Sequence, residues 1–353
     1  MKKSLLAAAV SFSLVTSTAV MAEFDRVRWQ VPMGFPSTLT ALGDTMPEVS
    51  RMVDEMSDGR VTLQTFEPGA LIPALGAFEN VSNGNVPAAY SWMGYEWGQL
   101  PVAALFGATP FGLESQEFLA WMNFHGGDEL LKEAFAPYNV YPIHCGTISP
   151  EAAGWFREEM DSVDKFEGLK FRAAGVGGEI MAEFGMSVTL LPGGELYQAL
   201  ETGVLDGTEF SLPTVDEQLG FYQVAKHYYL PGWHQPSTNQ FLYVNMDEWN
   251  GLNAQTQALI ENACMAGNAM ALAKAEALQG AVLESFKEKG VTLHQYPEDV
   301  LEAFEEATDR VMARRSESDP MFAKVYESMK AFQAEHRTWK HLGYLPRDWG
   351  VED

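Results

Sequence analysis

The residues best able to do chemistry lie between Pro150 and Pro236. Arg172 ends the short apolar run that contains Leu169 and Phe171, and a glycine-containing turn follows it. An arginine at a strand end can offer its planar fork to a carboxylate through two parallel hydrogen bonds. A surface arginine beside a turn would have the same sequence, and both readings stay open on the residue alone. Three polar-aromatic segments share the region: Ser149–Phe156, Asp206–Phe210 and Tyr229–Pro236. Each alone is compatible with an ordinary exposed loop. Three together in one α/β unit point to a ligand site, because such folds bind at their strand ends.

Other chemistries fail on spacing. Gly175-Val176-Gly177-Gly178-Glu179 is glycine-rich but has Ile180 where a dinucleotide fingerprint needs glycine, and no Gly-Lys-Ser/Thr follows. The 7 histidines include no pair at helical metal spacing. His144 and Cys145 are adjacent on a strand, so they point to opposite faces and cannot act as a base and nucleophile pair. No nucleophile-elbow pattern occurs. A binding protein therefore leads, with an exported enzyme acting on small carboxylates, or a ligand-sensing receptor module, as alternatives.

The elements that must position these residues alternate. Val27–Pro32 reads as a strand, Thr38–Met56 as a helix with Leu39, Leu42, Met46, Val49 and Val53 on one face, and Val61–Phe66 as a second strand. A helix is expected over Gly76–Ser82, followed by the short aromatic segment Ala88–Trp92 and a strand at Tyr141–Cys145. A second strand–helix series runs through Leu169–Arg172, Glu179–Phe184, Val188–Leu191 and Leu196–Glu201, and Phe241–Asn245 returns to a strand. The tail is helical over Ala254–Lys287, Val300–Arg314 and Met321–His336, segments rich in good helix formers. This order predicts an α/β protein.

Lys2 and Lys3, the apolar or small run Leu5–Val20, and Val20-Met21-Ala22 read as an export signal over residues 1–22, cleaved near Ala22, and hence as an exported protein. Removing it leaves about 330 residues, more than one ordinary core, so two domains are expected. No linker separates them, which implies several chain crossings. The net charge of −25 argues against nucleic acid and anionic membranes as partners. It also requires an anionic ligand to meet local positive charge from an arginine or a metal ion. An exported protein can hold a disulfide between its 2 cysteines, Cys145 and Cys264, but Cys264 lies on an apolar helix face, which favours two separate buried thiols over a bridge.

The run Gly193-Gly194-Glu195-Leu196-Tyr197-Gln198-Ala199-Leu200-Glu201-Thr202-Gly203-Val204-Leu205-Asp206-Gly207-Thr208-Glu209-Phe210 closely resembles a segment of the TRAP (tripartite ATP-independent periplasmic) transporter solute-binding proteins, the DctP-like family. Ser57–Arg60, Phe66–Gly69, Thr109–Gly112, Gly154–Phe156, Gly168–Arg172 and Val244-Asn245 fit the same family in the same order. The Tyr228–His234 stretch resembles the branch that binds 2-oxo acids such as pyruvate, or lactate. The resemblance implies a two-lobed periplasmic binding-protein fold with a ligand cleft between lobes and long C-terminal helices. It divides the chain into a first lobe over 23–148 completed by part of 236–300, a second over 149–235, and a mainly helical region over 253–353 packing on both.

It further implies that Arg172 pairs with the ligand carboxylate and that a calcium or sodium ion bridges ligand and protein. Trp233, Phe210 and Trp92 would exclude water, and Tyr90 and Tyr95 would join the aromatic wall. The implied cation ligands fall at Glu151, Glu209, the backbone of Phe210, and Gln235. Here the sequence departs from the family pattern twice. Glu151 stands at a glutamine position and Gln235 at a glutamate position, so the two exchanges leave the charge of the shell unchanged. The implied partners are a small carboxylate and separate TRAP membrane subunits, and the C-terminal helices resemble those that pair subunits into a homodimer.

Overall fold

The structure is a computed structural model that describes residues 23–347, 349 and 350. The expected export signal lies outside the described residues. Strand β1 (Val27–Pro32) buries Val27, Trp29 and Val31 on one face and exposes Arg28 and Gln30 on the other. It pairs in parallel with β2 (Val61–Phe66) across helix α1 (Thr45–Met56). That helix starts seven residues later than its apolar spacing suggests. Ala41 takes φ 62°, its N–H donates to Asp44 Oδ1 at 2.8 Å, and a Cβ at Gly43 would fall 1.8 Å from the Pro36 carbonyl oxygen. Residues 38–44 are therefore a tight turn that tucks Leu39 and Leu42 into the core.

Helix α2 (Ala77–Ser82) and strand β3 (Ala88–Trp92) follow. Three helices absent from the sequence reading come next: α3 (Pro101–Gly107), α4 (Ser115–Phe124) and α5 (Gly127–Phe135). The long strand β4 (Val140–Ile148) ends this part. A second group then runs β5 (Gly154–Phe156), β6 (Lys170–Arg172), α6 (Gly175–Glu183), β7 (Ser187–Thr189), α7 (Gly193–Glu201), β8 (Gly207–Thr208), α8 (Pro213–Leu219) and β9 (His227–Leu230). The chain returns through β10 (Thr238–Asn245) and α9 (Met246–Asn250) to α10 (Ala254–Glu288), β11 (Thr292–Gln295), α11 (Glu298–Ser318) and α12 (Pro320–Leu342).

The returns create the layout. β10 inserts antiparallel between β3 and β4 and is buried along its whole length. β11 adds to the edge of a six-stranded sheet ordered β11-β9-β5-β8-β6-β7. One sheet thus draws on chain before Ile148 and on β10, the other on residues 154–230 and on β11. The 35-residue α10, about 52 Å long at 1.5 Å per residue, packs on α1 and β4 and also on α8 and β11. α11 lies on α6, and α12 lies on α3, α4 and α5.

Cys145 and Cys264 are joined in a disulfide, which corrects the reading of two separate thiols. Cys264 does lie on the buried face of α10. That face rests on β4, and β4 brings Cys145 directly beneath it.

Away from the strand ends, α6 is also tied to the segment after β3. Trp97 Nε1 donates to Glu179 Oε2 at 3.0 Å, Arg315 of α11 pairs with the same carboxylate, and its guanidinium lies 4.6 Å over the Trp97 ring.

Candidate functional site

Arg172 stands at the end of β6, where its register partner on β8 is Thr208. The residue directly after β8 is Glu209, whose N–H donates to the Arg172 carbonyl at 3.1 Å. Sheet pairing therefore sets a cation beside an anion. Arg172 Nη1 donates to Glu209 Oε1 at 2.8 Å and to its carbonyl at 2.9 Å, while Nε donates to the Leu191 carbonyl at 3.1 Å. The Ala174 N–H donates to Glu209 Oε1 at 2.9 Å. The Phe210 ring lies 5.1 Å from the guanidinium carbon, a cation–π contact. Gly193 makes room for that ring, since a Cβ there would fall 2.4 Å from it.

Glu151 reaches the same place from the segment between β4 and β5. Its N–H donates to the Gln235 carbonyl at 3.2 Å, and its carbonyl accepts from the Gly232 N–H at 2.8 Å. Ser211 Oγ donates to Glu151 Oε1 at 3.1 Å, while Oε2 is buried with no partner in the protein. Gln235 Nε2 donates to Thr238 Oγ1 at 2.8 Å. Glu151, Arg172, Glu209, Phe210 and Gln235 border one cavity. Phe35, Leu42, Trp92, Tyr95 and Thr238 close it from the other side. Its walls thus come from both sheet groups.

Of the nine residues expected from sequence, seven meet at this cavity. Tyr90 and Trp233 do not line it. Tyr90 sits one pleat behind Trp92 on β3, wholly buried, with its hydroxyl toward Gly146. Trp233 is stacked between Phe111 and Phe304, facing away from its neighbour Gln235. The sequence reading passed over His234. It is buried, and its Nε2 lies 3.6 Å from Glu209 Oε2. The signal was its position inside the Tyr229–Pro236 segment, between Trp233 and Gln235.

The electrostatics divide the carboxylates. Burial pushes Glu209 up, but the Arg172 charge and the His234 contact outweigh it and hold the group below the usual carboxylate value. Glu151 is pushed well above that value by burial, and next by the Glu209 charge. Burial drives the Tyr95 phenol up to about 12, with Arg172 pulling the other way.

The donor set fits a hard cation. Ligand atoms of Glu151, Glu209 and His234 lie within 4.8 Å of one another, and one Glu151 oxygen is buried and unpartnered. Carboxylate and amide oxygens are the donors that calcium and sodium take.

Residues 35–319 match the family described as bacterial extracellular solute-binding protein, family 7, DctP. A relative from Nostoc sp. (strain PCC 7120) is 32% identical over 339 residues, covering 96% of this chain and 93% of its own, and is named a monocarboxylate 2-oxoacid-binding periplasmic protein. The crystal structure of a TRAP transporter solute-binding protein from Bordetella bronchiseptica RB50 superposes with a TM-score of 0.88 at 30% identity, covering 90% of this chain and 95% of that one. It is a mixed-occupancy dimer with copurified calcium and picolinate in one site. A TRAP periplasmic solute-binding protein from Pseudoalteromonas atlantica T6c, with sodium and pyruvate bound, gives a TM-score of 0.86 at 30% identity, covering 89% of this chain and 96% of that one. Fold and sequence agree over nearly the whole described chain, and it belongs to the DctP family of TRAP solute-binding proteins.

Proposed function

We propose that this protein captures a small monocarboxylate, a 2-oxo acid such as pyruvate or else lactate, together with a calcium or sodium ion. The observation that carries this reading is a buried arginine sharing one cavity with two buried glutamates. Arg172 would take the ligand carboxylate. Glu151, Glu209, the Phe210 backbone and Gln235 would hold the ion, which supplies positive charge to the ligand oxygens. With both glutamates ionised, the arginine and the incoming carboxylate leave two negative charges in a dry site, so a divalent cation brings the site to neutrality. A dry site with uncompensated charge is costly to form.

The walls of the cavity come from both sheet groups, which supports a first lobe of 23–148 completed by β10 and a second of 149–235. We assign closure of these lobes over the ligand as the capture step, in the periplasm, with delivery to separate membrane subunits. Among the described residues no helix is long and apolar enough to cross a membrane. The exposed Trp339, Leu342, Tyr344 and Leu345 at the end of α12 support pairing of two copies there.

Titration calorimetry with pyruvate and lactate, in calcium, in sodium and after chelation, tests the reading. Cation-dependent binding of a small monocarboxylate is expected. Absence of binding under all three conditions removes it.

A further inference from the structure

A second cavity adjoins the one that contains Arg172, and Trp92 and Gln235 border both. It exists because side chains are missing. Gly94, Gly175 and Gly177 line it with Ala104, Ala108 and Ala174. A Cβ on Gly94 would fall 2.0 Å from the Trp92 ring, and one on Gly177 would fall 3.1 Å from His234. The indole and the imidazole therefore lie directly against glycines. The space has room for a water-sized group.

Its walls are not simply apolar. Trp92 is 6% exposed and His234 is 3% exposed, yet Trp92 Nε1 and His234 Nδ1 have no hydrogen-bond partner in the protein, and His234 Nε2 has only the Glu209 carboxylate, 3.6 Å away. Trp92 Nε1 faces the end of α3, because a Cβ on Gly107 would fall 2.8 Å from it. Ala104 and Ala108 of the cavity wall belong to that same stretch. Buried N–H groups without acceptors cost free energy that a suitable ligand atom would return.

We propose that this cavity is a subsite for a compact hydrogen-bond acceptor at the far end of the ligand. The protein then selects a 2-oxo acid whose chain ends in a hydroxyl over one of the same length ending in a methyl group. The inference rests on Arg172 holding the carboxylate, with the chain passing Gln235 to lie beneath Trp92. A methyl group would leave the buried nitrogens unpartnered. A second carboxylate is disfavoured, since no lysine or arginine lines this cavity.

The test compares 3-hydroxypyruvate with 2-oxobutyrate, which differ in having a hydroxyl or a methyl at the chain end, and uses pyruvate as reference. Affinities are measured by calorimetry in calcium. The hydroxylated acid should bind about tenfold more tightly than 2-oxobutyrate. Trp92→Phe, which keeps an aromatic ring and removes the N–H, should shrink that ratio to about threefold or less. A ratio near one in the native protein, or one that neither Trp92→Phe nor His234→Phe lowers, overturns the subsite. Binding of all three acids without preference removes the subsite and leaves the carboxylate reading standing. Failure of all three to bind removes both.

Discussion

Arg172 Nη1 and Glu209 Oε1 are 2.8 Å apart in surroundings where each side chain is 2% exposed. With Nε also committed to the Leu191 carbonyl, the guanidinium is fixed in one plane before a ligand arrives. Replacing Arg172 with alanine should abolish measurable binding and leave Glu209 as an unpaired buried charge, destabilising the fold by about 3–5 kcal/mol. Arg172→Lys separates the effects, because it keeps the charge and loses the planar fork. It should still bind at least about tenfold more weakly, with a smaller loss of melting temperature. Unchanged affinity in either variant removes Arg172 from the site.

Glu151 and Gln235 meet through backbone hydrogen bonds and border one cavity, although 84 positions separate them in the chain. Glu151→Gln should weaken calcium binding by about tenfold or more, and adding Gln235→Glu should restore much of it. A double variant no better than the single one shows that the two positions are not coupled through an ion. Because the Glu151 carboxyl is held well above its usual value, ion binding should release a proton, and calcium affinity should rise with pH. Calorimetry in buffers of different ionisation enthalpy reads this release, which Glu151→Gln should remove.

Glu96 offers a pH test away from the ligand. It is 1% exposed, its Oε1 has no partner, and burial raises its carboxyl to about 7 despite the hydrogen bond from Gln99. Below its ordinary value of 4.5, folded and unfolded chains both hold the proton. Between 4.5 and about 7 only the folded chain holds it, so unfolding releases a proton and rising pH favours unfolding. Glu96 therefore makes stability fall across that window and flatten above it. Glu96→Gln should remove this slope and stabilise the protein at pH 8 by roughly 3 kcal/mol at most, as read from denaturant midpoints at several pH values. An unchanged slope refutes the assignment.

The Trp97–Glu179–Arg315 cluster bridges residues assigned to the two lobes. If closure is the capture step, loosening this bridge should speed release. Glu179→Gln should raise the ligand dissociation rate by about threefold to tenfold with a smaller effect on association, measured by stopped flow. Equal rates in the variant and the native protein would mean that the cluster serves the fold alone.

Legibility in the sequence followed element length and the range of the forces involved. Strands β1, β2, β4 and β10 announce themselves through apolar runs or alternation, and helix α10 through a long run of good helix formers. β5 and β8 have three and two residues, too few for any period, yet β8 is what places Glu209 beside Arg172. Helices α3 and α4 pack into a largely apolar stretch whose pattern has no clean stripe. At the site, residue types could be read and side-chain directions could not. Trp233, His234 and Gln235 are consecutive, but the tryptophan turns into the Phe111–Phe304 stack while the other two turn toward Glu209 and Thr238. The disulfide was missed for the same reason, since only the packing of α10 on β4 brings the two sulfurs together.

That disulfide encloses all of residues 149–235, the segment that builds every strand of the six-stranded sheet except β11. Both passages of the chain into and out of 149–235 lie between Cys145 and Cys264. One protease cut at any surface loop of that segment would therefore leave two fragments that migrate as a single species on a gel until a reductant is added. In a compartment where proteases are abundant, a nicked receptor of this design would stay in one piece.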